Sequence, residues 1–218
     1  MGNEFLFHGS SKDFEAIKPA NISVQKQGDE ARVYATSNLA FASIFTMPRD
    51  YKFLQGFSGR VRLEKDGPEI IYAILPENIE PNESNIARVD AILKSELPNA
   101  KYTATDIIKI LNEFYEHLQT DPVSIYAVKA NQFNPAKHNS DLEFYSTEPA
   151  PTIPHLNRRY PSALTAMAET GAKIYQVNLA TFLKMRVDSH DEAKQEVYRT
   201  QVFQTKPLDL DPYKEIYN

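Results

Sequence analysis

Apolar positions change their spacing several times along the chain. Residues 4–8 (EFLFH) form a short apolar run that reads as a strand. SKDFEAIKPA reads as a helical turn ending at Pro19, and residues 21–31 read as a polar loop. RVYA at 32–35 is a second short strand. Ala40, Phe41, Ile44 and Phe45 then recur at helical spacing, with Ser37 as N-cap and Pro48 as terminator. From 51 to 75 the pattern is β-like, and the Lys-Asp-Gly-Pro stretch inside GRVRLEKDGPEIIYAIL marks a hairpin.

The middle of the chain is helical. ESNIARVDAILKSEL and TATDIIKILNEFYEHLQ carry apolar residues three and four apart. In the second, Ile107, Ile108, Leu111, Phe114, Tyr115 and Leu118 form a core-facing stripe, capped by Thr105 or Asp106. Strands return at 123–130 and 142–149, and Pro149, Pro151 and Pro154 make a stiff connector. After about residue 157 the pattern reads as helical, with Gly171 as a C-cap and Ser189/Glu192 as a capping box. This order predicts an α+β fold, not the alternation of a doubly wound sheet. The expected organisation is a domain over 1–154, interrupted by helices at about 84–120, and a helical extension over 155–218.

Composition narrows the chemistry. The 218 residues include no Cys, so disulfide scaffolds, Cys-ligated zinc and Cys nucleophiles are excluded. A Cys-free chain fits a reducing compartment, and a cytoplasmic location is the expectation. With 24 Lys+Arg against 29 Asp+Glu, the net charge of −5 argues against a general phosphate-backbone binder. No apolar run approaches the ~18 residues of a membrane span. MGNEFLFHGS lacks the charged n-region of a signal peptide, and Leu6 breaks a myristoylation motif. The chain has neither GxGxxG nor GxxxxGK[ST]. Its five His (8, 117, 138, 155 and 190) are scattered, so no metal site is predicted.

Three short segments carry candidate chemistry. Phe7-His8-Gly9-Ser10 sets an imidazole at a strand end beside a residue without Cβ, which lets another group approach the backbone. Val33-Tyr34-Ala35-Thr36-Ser37 is a strand running into a small-residue helix start. Leu142-Glu143-Phe144-Tyr145-Ser146 is a strand opening on a carboxylate, with Glu148 as a rival.

Together these segments resemble the His-Tyr-Glu branch of the ADP-ribosyltransferase superfamily. That branch includes poly(ADP-ribose) polymerase catalytic domains, diphtheria-toxin-like enzymes and small bacterial transferases. Rifampin-modifying transferases are similar around the first two segments. The resemblance implies split, mixed-to-antiparallel sheets around an NAD cleft. It implies that His8 bonds a ribose hydroxyl of NAD, that the Gly9 backbone pairs with the nicotinamide carboxamide, and that Ser10 supports the same end. Tyr34 would stack on the nicotinamide ring, with Thr36 and Ser37 beside it. Glu143 would bond the ribose 2′-hydroxyl and stabilise the sugar cation as nicotinamide leaves. The physical logic is independent of the name: breaking a glycosidic C–N bond builds positive charge on the sugar, and a fixed carboxylate stabilises it.

The implied activity is NAD-dependent mono-ADP-ribosyl transfer to a protein, nucleic-acid or small-molecule acceptor. In arginine-specific transferases an acidic or amide residue two before the catalytic Glu, here Asp141, orients the acceptor; those enzymes usually carry Arg where this chain has His8, which leaves the acceptor open. Two alternatives stay open: a non-catalytic nucleotide- or protein-binding module, and an RNA 2′-phosphotransferase-like enzyme. The second needs a basic groove, which the acidic balance opposes. Tyr126 and Tyr145 read as core or strand-face residues. Arg32, Arg49, Arg60 and the Arg158-Arg159 pair read as solvated charges, with contact to the NAD pyrophosphate as the alternative for the first three and phosphate or acceptor contact for the pair. The loop 21–31 would lie over NAD.

Overall fold

A computed structural model describes residues 4–20, 30–48, 57–137 and 141–214. Strands along the chain are β1 (Phe5–Ser10), β2 (Ala16–Ile17), β3 (Val33–Thr36), β4 (Phe57–Arg62), β5 (Glu69–Pro76), β6 (Val123–Lys129), β7 (Asn134–Pro135), β8 (Glu143–Ser146), β9 (Ala150–Pro151), β10 (Arg158–Tyr160) and β11 (Lys173–Val177). The helices are α1 (Leu39–Ile44), α2 (Glu83–Glu96), α3 (Ala104–Thr120), α4 (Ala163–Thr170), α5 (Leu179–Val187) and α6 (Glu192–Phe203). The architecture is α+β, with an antiparallel and a mixed sheet. Contacts divide the chain into two compact units, residues 1–47 with 120–171 and 215–218, and residues 48–119 with 172–214.

The first unit is built on an antiparallel six-stranded sheet in the order β10-β6-β1-β3-β8-β7. One face buries Leu6, Val33, Ala35, Tyr126 and Val128 under Ile17 and Ala150, which come from the small β2–β9 ladder. Phe14 and Phe144 close the edges of this cluster. β1 alternates only in part, and the central β6 is buried continuously from Val123 to Val128, as a strand with both faces covered must be. Helix α1 packs on the opposite face, and Thr170 of α4 donates to Ser43 of α1 (Oγ1 to Oγ, 2.9 Å).

The second unit has the three-stranded order β11-β5-β4. β4 and β5 form the antiparallel hairpin that the Asp-Gly turn predicts, and β11 runs parallel to β5. Ile71–Pro76 is continuously buried, as a strand with both faces covered must be. The α3 stripe is buried from Ile107 to Leu118. Its one polar member, Tyr115, donates its hydroxyl to the Pro76 carbonyl and accepts from Gln176 (3.0 Å). Burial pushes the Tyr115 hydroxyl up to about 12.

Several local expectations change. The 11–19 segment contains β2 instead of a helical turn, because Ile17 pairs with Ala150 and enters the core. Asn38, not Ser37, caps α1, since Ser37 gives its hydroxyl to the Asp141 carbonyl (2.9 Å). Thr103 precedes α3 in reciprocal bonds with Asp106, and Asp191, not Ser189, caps α6. The segment after 157 is not wholly helical: β10 and β11 are recruited by β6 and β5. The Gly171 C-cap forms as expected, at φ 83°.

Asp188, at the end of α5, accepts from Lys194 Nζ (2.7 Å) and from the Tyr198 hydroxyl (2.8 Å). These bonds hold the Asp188 carboxyl below its ordinary value and Lys194 above its own. A depressed acid stabilises the fold above its unfolded pKa, so this contribution fades as pH falls below about 3.9; the lysine's fades as pH rises above about 10.4. The melting-temperature difference between wild type and Asp188→Asn is therefore constant near neutrality and shrinks in acid. A difference that grows on acidification refutes the assignment.

Candidate active site

The site begins with where backbone groups point. Ala127 of β6 turns its N–H to Asn157 Oδ1 (3.1 Å) and its carbonyl to Ile153 N (2.9 Å), both away from β1. Its register partner Phe7 must then direct its polar groups toward β3, where it meets Thr36. Gly9, two residues on, points the same way. On β3, the Ser37 N–H bonds the Leu142 carbonyl (3.1 Å) toward β8, so Thr36 and Tyr34 face β1. Continuing the ladder would pair Gly9 with Tyr34.

That pair is replaced. The Tyr34 carbonyl accepts from His8 Nδ1 at 2.7 Å. A carbonyl only accepts, so the bond fixes a proton on Nδ1. The β1–β3 register ends at Phe7–Thr36, whereas β1 stays paired with β6 through Ser10 and β3 stays paired with β8 through Val33. The sheet therefore splits between β1 and β3. The Gly9 N–H and carbonyl line the β1 side of the gap, across from Tyr34.

Side chains follow the alternation. Tyr34, Thr36, Glu143 and Tyr145 share one face, with Glu143 opposite Thr36 and Tyr145 opposite Tyr34. Arg32 joins them, its guanidinium carbon 4.4 Å from the Tyr145 ring centroid. His8 and Ser10 alternate to the other face, with Leu6, and the His8 ring meets Phe14 edge-on at 6.2 Å. Thus Tyr34 and Glu143 are brought together as diagonal neighbours, and His8 reaches them through a backbone carbonyl rather than on a shared face. Ser10 Oγ accepts from Lys12 N (3.0 Å), and the buried Thr36 accepts from Asn38 N (3.0 Å), so both serve local turns. Arg49, His138 and the loop at 21–29 lie outside the described residues.

The sequence signals missed two features. Arg32 and Tyr145 read as a solvated charge and a strand filler, yet Arg32-x-Tyr34-x-Thr36 already has the spacing of one strand face. The register that sets Tyr145 beside Tyr34 could not be read from either strand alone. Gly9 also has a second constraint: an added Cβ would lie 1.9 Å from the Ala42 carbonyl oxygen of α1.

Among the described residues, no group of three or more His, Asp or Glu is placed to hold a metal ion, and no helix is long and apolar enough to cross a membrane. In comparisons with known proteins, no family model, curated protein or solved structure matches the chain.

The blocking neighbour of Gly9 is backbone and cannot rotate away. Gly9→Ala should lower stability by about 2 kcal/mol or more, read from the midpoint of urea unfolding. An unchanged midpoint would show that α1 is not seated on β1 as described.

Proposed function

We propose that the chain is an NAD-dependent mono-ADP-ribosyltransferase. The observation that carries this reading is the split between β1 and β3. It presents one N–H and one carbonyl of Gly9 opposite an aromatic residue, with a carboxylate two positions along the same face. A primary carboxamide on a planar ring is complementary to that set: its NH2 donates to the Gly9 carbonyl, its oxygen accepts from the Gly9 N–H, and its ring lies against Tyr34.

Each residue then has a physical task. Gly9 and Tyr34 orient nicotinamide. His8 holds the Tyr34 carbonyl and so keeps the gap open. Glu143 faces the ribose, accepts from its 2′-hydroxyl and stabilises the positive charge that grows on the sugar. The C1′–N bond breaks with its electron pair leaving on nicotinamide. An acceptor nucleophile then bonds C1′ and gives up its proton, and water in that place gives hydrolysis instead. Fixed orientation of donor and acceptor contributes most of what Glu143 does not.

Nicotinamide release from NAD by the purified protein tests the reading. Release should fall about a hundredfold or more in Glu143→Gln, since losing one charge-stabilising group typically costs that much. Tight NAD binding must persist in the variant, because the backbone contacts remain. Wild-type protein that neither binds NAD nor releases nicotinamide would favour the non-catalytic module.

A further inference from the structure

A separate cleft opens on the His8 face of the same sheet, about 360 Å³ in volume. This lies at the lower end of small-molecule pockets. Its floor is Ser124 and Tyr126 of β6; one wall is the segment Asp13–Glu15, and the other is Asn157–Arg159 at the start of β10. None of these residues belongs to the Gly9–Tyr34–Glu143 set.

The unspent polar groups inside the cleft are donors, and two carboxylates, Asp13 and Glu15, stand at its edge. Tyr126 has spent its hydroxyl: it accepts from Phe14 N (3.1 Å) and lies 3.0 Å from the Lys12 carbonyl and 3.3 Å from Asp13 Oδ1. Asn157 has spent its oxygen on Ala127 N, which leaves its NH2 as the outward group. Ser124 is 7% exposed and lines the floor. Arg159, the register partner of Ser124, adds a guanidinium on this face; Arg158 pairs with Ile125, turns to the other face and contributes only its backbone. Asp13 is 3.9 Å from Arg159 and touches the Tyr126 hydroxyl, so it brackets the rim. Glu15 is exposed at the mouth. The apolar surface is Phe14, whose ring meets Tyr126 edge-on at 5.7 Å and His8 at 6.2 Å.

From this arrangement we infer that the cleft binds a small planar ligand bearing a phosphate or carboxylate. Its ring packs against Phe14, and its oxyanion meets the Ser124 hydroxyl, the Asn157 amide and Arg159. Arginine suits the task because its planar fork matches two oxygens of such a group. The inference does not rest on the NAD reading, since it uses different residues on the other face of the sheet.

Calorimetric titration with phenyl phosphate and with benzoate tests it, using inorganic phosphate and phenol as controls. The two aryl anions distinguish phosphate from carboxylate recognition. At least one should bind about tenfold more tightly than either control, because each control lacks one of the two contacts. Ser124→Ala and Arg159→Gln should each weaken that binding about tenfold. Both variants should keep the wild-type melting temperature to within a few degrees, because Arg159 is exposed and Ser124→Ala removes one oxygen. Saturating NAD and Glu143→Gln should leave it unchanged. Absence of binding by both aryl anions overturns the inference. So does binding that survives both cleft variants, or that NAD displaces.

Discussion

One hydrogen bond decides the shape of the first unit. When His8 Nδ1 takes the Tyr34 carbonyl, a side chain stands where the next rung of a β-ladder would form. Every buried carbonyl needs a donor, and the imidazole supplies one without closing the strands. The Tyr34 carbonyl is thus satisfied although the ladder stops. Both strands are held from outside, β1 by β6 and β3 by β8. Gly9 must lie flat against α1 for the same geometry to hold, which leaves its main-chain groups aimed into the opening.

The two faces of this sheet divide the work. The face under β2 and β9 holds the apolar cluster from Leu6 to Val128, and toward β10 it gives way to the Ser124–Arg159 cleft. The other face carries α1 near Gly9 and, on β3 and β8, a row of half-buried polar and aromatic side chains. Such residues on a strand cost packing that leucine or valine would provide. Their concentration along Arg32, Tyr34, Glu143 and Tyr145 is what distinguishes this face from ordinary sheet surface. In the second unit Asp191 caps a helix, Asp188 accepts from Lys194 and Tyr198, and Tyr115 bonds the Pro76 carbonyl and Gln176.

The elements most legible in sequence were those whose signal is local and periodic. The α3 stripe needs only its own residues, and the Asp-Gly hairpin needs only a turn and its two flanks. Short strands were less legible. β2, β10 and β11 are two to five residues long and exist because a partner strand completes them. Nothing in Ala16–Ile17 specifies extension until Ala150 lies beside it. Caps were displaced by one to three residues for a related reason: Ser37 is a good capping residue, but the Asp141 carbonyl, just before β8, takes its hydroxyl first.

The α+β order, the helices α2 and α3, the candidacy of His8, Tyr34 and Glu143 and the lack of thiols were legible in the sequence. All of these follow from residue type and near-neighbour spacing. How the trio is arranged was set by the fold. It placed Tyr34 and Glu143 on one face and His8 on the other, joined by a carbonyl, and it turned the Gly9 backbone into the gap. Those outcomes depend on register and on which edge of each strand is already occupied. Both are fixed by residues more than a hundred positions away, such as Ala127 against Phe7 and Leu142 against Ser37.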